Sequence, residues 1–453
     1  MTYKTAKYGG SSLKDRDQIG RTIEINRADP SKLFLVLSAP GGKPKVTDLL
    51  ISAASEYHRS HKSPSAERVK QVFSDISCGE FPGIIREINS DMDRALSETS
   101  APNYLDRVKA LGERGLARLY AEIARKSGLP CIFVDHTETG LIIKDGESGP
   151  EPDETCYPEI GRRLEKIVQT NPGKRIVIPG YYGLDSRGQL KALPRNGSDT
   201  IASVIAVATN SARYENWTDQ PGLGRASPEF VDNAEIIPEI TINEIRRLTA
   251  RGDFKMPFES LIPLINRDVP LQIKDTNHPK MPGTLVTQSR TSHPDETIVG
   301  ISSRRGYTAL QIYKRLANES AGFGAKVFGT IAAQGVPYAY SPDDIDVITV
   351  LIQNQHLEKA GKLEKMISAI KSSIPGAEVT AKEQSYATIS IVGQMMASNL
   401  LIAGRAITAL GKAGVQQKTI EKGSDIGLVV SIDPWQEKEA VRAVYNEFFP
   451  EKK

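Results

Sequence analysis

Cysteine is scarce in this chain: Cys78, Cys131 and Cys156 are the only three in 453 residues. An odd and widely spaced set makes neither a disulfide framework nor a zinc-ligand pattern, so a reducing cytoplasm is the expected setting. Histidine is scarce too. The six, at 58, 61, 136, 278, 293 and 356, include no pair four residues apart, which leaves a histidine metal site or a Ser-His triad poorly supported. No run of about 18 apolar residues occurs, so no membrane-spanning helix is expected. The N-terminus has no basic segment followed by an apolar block, and no secretion signal is expected. A net charge of +3 is too small to argue for nucleic acid or an anionic membrane as partner. Three phosphate-handling signatures are also missing: the G-x-x-x-x-G-K-[ST] loop, the H-R-D and D-F-G of protein kinases, and the spaced G-x-G-x-x-G of dinucleotide sites.

What remains is a chain with 39% hydrophobic and 25% charged residues, long enough for two to four domains with ample core. Short apolar runs alternate with helical patterns as far as residue 290. "LFLVLSAPGG" (33–42), "CIFVD" (131–135), "RIVIPGYYG" (175–183) and "YENWTD" (214–219) read as strands buried on both faces. Helices are expected at 104–126, 158–169 and 198–209. Such alternation predicts a mainly parallel sheet between helices, with ligands at the carboxyl ends of the strands. The loops 9–12, 38–47, 180–183 and 194–199 all follow strands, so they are expected to meet on one edge. Beyond 290 the rhythm changes to two β-α-β-β-α-β rounds. The expected division is 1–290, 291–380 and 381–453.

Four segments of the first region combine small residues with charge. Lys7 precedes Gly9, Gly10, Ser11 and Ser12, where bare backbone and a cation suit phosphate; a tight turn beside a surface lysine is the plainer reading. Thr47 follows a second glycine-rich turn and stands where it could simply cap a helix. Glu113 of "LGERG" lies in a helical stretch and could be merely solvated. In "LPRNGSD" (193–199), Arg195 and Asp199 bracket small residues, and Ser198 or Asp199 could be a helix cap.

Taken in order and spacing, these segments, with "WTD" (217–219) and "VPLQIKDTNHPKMPGT" (269–284), resemble the aspartate kinases of the amino acid kinase family. The two C-terminal rounds resemble that family's paired ACT regulatory domains. The resemblance implies an amino acid kinase-type sheet followed by two ferredoxin-like units. It implies ATP-dependent phosphorylation of the side-chain carboxylate of L-aspartate, the first step of an amino-acid biosynthetic pathway. By it, Lys7 faces the transferred phosphoryl group and Gly9, Gly10 and Ser11 cradle it. Asp199 orients Lys7, Glu113 holds the substrate ammonium, and Arg195 holds its α-carboxylate. Thr47 and Ser198 help position the amino acid, and Thr218 and Asp219 lie along the nucleotide. Mg²⁺ is expected on the nucleotide phosphates and not on protein side chains. The resemblance also implies a homodimer paired through ACT domains and a lysine or threonine effector at "YAYSPDDID" (338–346). Ser341 and Asp344 are the candidate contacts there, against a plain solvated turn.

The match weakens on the nucleotide side. In "QPGLGRASPEF" (220–230), Pro221, Gly224, Ser227 and Glu229 stand where the family carries Asp, Tyr, Asp and Arg. Phe254 takes a lysine's place in "GDFKMPF" (252–258), and Pro194 and Asn196 replace glycines beside Arg195. Three readings stay open: Arg225 and Lys255 supply the missing cations from shifted positions; the protein uses another amino acid or donor; or it is a weakly active relative that binds amino acids and regulates.

Overall fold

In a computed structural model every residue is described except 1, 148, 195, 251, 253, 255–257, 266, 291–297, 397–399, 425 and 451–453. Two compact units emerge. The first comprises Met1–Leu223, Pro238–Ile242 and Pro257–Arg290; the second comprises Gly224–Ile237, Asn243–Met256 and Thr291–Lys453. The single boundary expected at 290 is therefore replaced by an exchange of short stretches. Their side chains explain it: Ala226 and Phe230 are buried in one apolar cluster with Ile298, Ile301 and Ile389.

The first unit is built on eight strands: β1 (Lys4–Tyr8), β2 (Lys32–Leu37), β3 (Cys131–Phe133), β4 (Arg175–Pro179), β5 (Arg213–Thr218), β6 (Glu239–Thr241), β7 (Leu271–Asp275) and β8 (Thr284–Thr287). Their order is β6-β8-β7-β5-β1-β2-β4-β3, with only the β7–β8 pair antiparallel. Every residue of β2 and β4 is buried, as expected for strands covered on both faces. The longer helices are α1 (Arg16–Ala28), α2 (Val46–Ser60), α3 (Pro64–Ser77), α4 (Pro82–Ser97), α5 (Tyr104–Lys126), α6 (Tyr157–Thr170) and α7 (Gly197–Ala208). Helix α5 has the expected bounds, and α6 and α7 start one residue before theirs.

Strand pleating sorts the side chains of the sheet. Lys7 is paired with Asn216, and Tyr8 with Trp217. One face thus carries Thr5, Lys7, Tyr214 and Asn216. The other carries Lys4, Ala6, Tyr8, Arg213, Glu215 and Trp217. Helices α1 to α5 cover this second face over β1 and β2, where Ala6, Tyr8, Leu35 and Leu37 join Ile19, Ile23, Leu116 and Tyr120 in one core. Helix α7 packs over β1 and β2, and its Asp199 meets Lys7 on the first face. Strands β5, β1, β2 and β4 are neighbours and parallel, so the loops leaving their carboxyl ends share one edge.

The second unit has five strands, β9 (Gly300–Tyr313), β10 (Val347–Gln353), β11 (Glu378–Val392), β12 (Gln417–Ser424) and β13 (Gly427–Ile432), in the order β10-β9-β11-β13-β12. Every pairing is antiparallel. Helices α8 (Phe323–Ala333), α9 (Lys362–Ser373), α10 (Leu400–Lys412) and α11 (Glu437–Phe448) accompany them, with a further helix over Ile242–Ala250. The expected strand at 337–341 is instead extended chain with isolated bridges such as Tyr340 to Leu351.

Two apolar cores form in the second unit. Leu310, Ile312, Val327, Val350, Met366, Ile370 and Val379 make one. Ile298, Ile301, Ile389, Ile391, Leu410, Val430 and Val444 make the other. The start of β9 therefore packs with the C-terminal core, and the cut expected at 380 falls inside β11. One long strand serves both cores because Gly306, at φ +83°, and a register shift between Arg304 and Tyr307 break its pairing in the middle. No described helix is long and apolar enough to cross a membrane.

Candidate active site

Lys7 is buried near the carboxyl end of β1. Its Nζ donates to Asp199 Oδ1 at 2.8 Å. Asn216 Nδ2, from the neighbouring strand β5, donates to the same oxygen at 2.7 Å. Asp199 stands in the first turn of α7, where the helix dipole favours a carboxylate. Neither Asp199 nor Ser198 is the cap: Asn196 holds that position, at φ +66°. An ammonium has three donors, so two remain for a ligand.

The loop after β1 turns at once into a 3-10 segment, Gly10–Leu13. It is tied to the loop after β2, where Gly41 N–H donates to Gly10 O at 2.8 Å. Here glycine is required for close approach. A Cβ at Gly41 would lie 2.5 Å from Gly10 O, and one at Gly10 would lie 2.8 Å from Ala39 O. The Gly9 Cα faces Lys7, since a Cβ there would sit 3.7 Å from Nζ. Ser12 Oγ shares a 2.7 Å hydrogen bond with Thr276 Oγ1, fixing the far side of the turn.

Glu113 is not a solvated helical glutamate. It faces inward from the middle of α5, 3% exposed. Its carboxylate accepts the backbone N–H of Ala39, and Oε2 is buried with no hydrogen-bond partner among the described residues. Burial pushes its pKa up to about 8, against the pull of that N–H. A buried carboxylate oxygen left unsatisfied costs roughly 1–3 kcal/mol, and a ligand cation would remove that cost.

Thr47 is half-buried in the first turn of α2; the cap position belongs to Lys45, so Thr47 is not spent on capping. Ser198 is buried against the turn after β4, where a Cβ at Gly180 would lie 2.5 Å from its Oγ. Thr218 ends β5 and donates to Asp219 Oδ1 at 3.2 Å. Arg195 and Lys255 lie outside the described residues. Arg225 belongs to the second unit, where it is buried, donates to the carbonyls of Ile298 and Val299 and stacks on Phe449. The structure thus brings Lys7, Gly9, Gly10, Asp199, Glu113 and Ser198 into one set of interlocked loops, and gives Arg225 a different task.

Three comparisons with known proteins bear on this arrangement. Residues 5–275 match the model of the amino acid kinase family, and residues 389–448 match an ACT domain. Aspartokinase 3 of Bacillus subtilis is 31% identical over 458 residues, spanning 98% of each chain. The chain belongs to the aspartate kinases of the amino acid kinase family. The lysine-sensitive aspartokinase 3 of Escherichia coli is 26% identical over 76% of this kinase and 75% of its own chain. The aspartate kinase of Clostridium acetobutylicum superposes with a TM-score of 0.83 and 28% identity, covering 98% of this chain and all of that one. The E. coli aspartokinase III solved with aspartate and ADP shares the fold, at TM-score 0.77 and 22% identity over 99% of this chain and 100% of that one.

The structure of this kinase adds residues that the sequence reading missed. Asn216 was read only as part of a strand; its pairing opposite Lys7 is the signal that marks it. Beside Glu113, Arg114 Nε lies 2.7 Å from Asp135 Oδ2, and Tyr182 OH donates to Asp135 Oδ1 at 2.7 Å. Burial works to raise the Asp135 pKa, but Arg114, His136 and Tyr182 together hold it below the usual carboxylate value. His136, fully buried, bonds Pro179 O and Thr139, and burial lowers its pKa against the pull of Asp135. That histidine braces the short 136–139 turn against the end of β4, next to the turn carrying Gly180. Ser341 Oγ donates to Thr349 O at 2.9 Å, while Asp344 is exposed and accepts from Ile345 N–H. A cavity of about 500 Å³ beside Ser341 is lined by Phe328, Tyr338, Tyr340, Asp343 and Glu421, without Asp344.

Proposed function

We propose that this chain transfers the γ-phosphoryl group of ATP to the side-chain carboxylate of L-aspartate, with Lys7 as the cation on the phosphoryl oxygens. The observation that carries this reading is the Lys7–Asp199–Asn216 group beside two interlocked glycine turns. The nucleophile needs no general base, because an aspartate side chain with a pKa of roughly 3.9 is ionised at neutral pH. One carboxylate oxygen bonds to phosphorus as the bond from phosphorus to the ADP oxygen breaks, and no proton moves. Catalysis is then alignment plus charge neutralisation. Asp199 and Asn216 hold Lys7 in place, and the bare backbone of Gly9 beside its ammonium would let phosphate oxygens approach.

Glu113, in its ionised form, would receive the substrate ammonium, and Arg195 its α-carboxylate by a bidentate pair. Thr47 and Ser198 would line the amino acid; Thr218 and Asp219 would follow the nucleotide. Asp199 is already committed to Lys7 and Asn216, so these residues suit a Mg²⁺ carried by the triphosphate; the ion would supply neutralisation of phosphate charge. With Arg225 engaged elsewhere, Lys255 is the remaining candidate for the cation lost at Glu229.

The cavity beside Ser341 suits an amino-acid effector with a second ammonium, since Asp343 and Glu421 both line it. The E. coli aspartokinase III has been solved with lysine and aspartate in a T-state, and lysine is the effector we favour here. We also infer a homodimer, which light scattering would find at twice the 49.5 kDa chain mass.

The deciding experiment traps the acyl phosphate. Purified protein with Mg-ATP, L-aspartate and hydroxylamine should yield aspartyl hydroxamate. A panel of acidic amino acids and nucleotide donors in the same assay separates an altered specificity from an inactive relative. No hydroxamate with any of them, together with no ATP binding by calorimetry, ends the enzymatic reading.

A further inference from the structure

A groove of about 870 Å³ opens on the sheet of the first unit. Its floor is Lys4, Arg213, Glu215 and Trp217, on the face opposite Lys7, continued by Gln272 and Lys274 of β7. Helix α1 walls one side, and segment 276–282 the other. The volume falls within the range of small-ligand sites.

Its charges do not balance. Six basic residues line it, Lys4, Arg21, Lys32, Arg213, Lys274 and Lys280, against three acidic ones, Glu24, Asp29 and Glu215. All three acids are already occupied, Glu24 by Arg27 of the same helix. Asp29 accepts from Lys4 at 2.7 Å and from Lys32 at 2.8 Å. Glu215 accepts the Trp217 indole N–H at 3.0 Å and lies 3.6 and 3.5 Å from the same two lysines. Among the described residues Arg213 reaches only Gln272 Oε1, at 3.4 Å. Lys274 Nζ stands 5.2 Å from the centre of the Trp217 ring, with no carboxylate within 4 Å among the described residues. Both are half-buried. Burial lowers the Lys274 pKa, and the neighbouring Lys32, Arg213 and Lys4 add to that against Glu215. Like charges held together in a partly dry groove favour a multivalent counter-ion.

We propose that this groove is a second binding site, separate from the kinase centre, for a small multiply charged anion held by Lys274 and Arg213 above Trp217. Phosphate-bearing and polycarboxylate ligands share that chemistry. The inference is independent of the proposed reaction.

The test uses Trp217 as reporter. The chain has two tryptophans, and Trp435 is 76% exposed in the second unit, so Trp435→Phe leaves Trp217 as the sole tryptophan, read by excitation selective for indole. Inorganic pyrophosphate and citrate are titrated in separate arms, without Mg²⁺. We expect a saturable change with at least one, which identifies the ligand class. Affinity should fall at least about tenfold in the Arg213→Gln/Lys274→Gln double variant and stay within twofold in Lys7→Ala. If circular dichroism finds the double variant unfolded, Lys274→Gln alone should weaken binding about threefold. Three results would overturn the inference: no saturable change with either anion, equal affinity after the groove substitutions, or loss of binding in Lys7→Ala. A shift in oligomer mass on Lys274→Gln with anion binding unchanged would also overturn it, in favour of a subunit contact.

Discussion

The two faces of the first unit's sheet treat lysine in opposite ways. On one face Lys7 is paired with Asp199, which Asn216 also holds, and a helix dipole and two glycine turns surround the group. On the other face six cations share three carboxylates, and two of them, Lys274 and Arg213, have none within bonding distance among the described residues. The same strands supply both, through the alternation of Lys7 with its neighbours in β1 and of Asn216 with Glu215 and Trp217 in β5. A cation fixed by its own acid is oriented for one task. A cation without one is available to whatever anion arrives. Burial alone distinguishes neither; the partner does.

Substitutions should separate the faces by size of effect. Lys7→Ala should reduce kcat by about 10²–10³-fold in the hydroxamate assay, the order found when one donor to a developing charge is removed; turnover within threefold of the parent would place the phosphoryl-binding cation elsewhere. Asp199→Asn keeps the shape and removes the charge that orients Lys7. It should lower kcat by some 10–100-fold, with a smaller change in the KM for ATP.

Glu113→Gln should raise the KM for aspartate by roughly tenfold or more. The parent's KM should itself fall as pH rises towards 8, because only the ionised carboxylate pairs with the ammonium; the Gln variant should lose that dependence. The folded-state pKa is raised to about 8 from an unfolded value near 4.3. Its stability contribution is therefore full below pH ~4.3 and lost as pH rises through 8. Urea midpoints at pH 5 and pH 8 should differ more for the parent than for Glu113→Gln. Gly180→Ala drives a methyl group against Ser198 and should cost about 1–3 kcal/mol in denaturant unfolding. Smallest of all, Lys274→Gln on the opposite face should leave kcat within twofold at saturating substrates. A tenfold loss there would mean that the two faces are coupled.

Much of this was legible beforehand because it depends on short-range chemistry. "KLFLVL" can only be a strand buried on both sides, and glycine turns after strands point to the carboxyl edge. Helix α5 announced itself by its periodicity. Glu113, by contrast, reads as a surface residue in its own helix, and only the arrival of the 38–42 loop over it makes it a buried acid with a raised pKa. Arg225 reads as a spare cation near a nucleotide segment; its guanidinium instead closes onto carbonyls at 298 and 299, some 70 positions away in sequence. The division expected at 380 falls inside β11, because the local pattern cannot reveal that one strand serves two cores.

The sequence by itself determined which residues could carry charge next to bare backbone, and which segments had to be strands or helices, since both follow from side-chain type and spacing within a few residues. Tertiary structure alone decided which charges found partners. Asp199 reaches Lys7 across 192 positions, while Lys274 ends above an aromatic ring. Pairing depends on distances that exist only once the sheet is assembled, and that is why one lysine became fixed and the other stayed open.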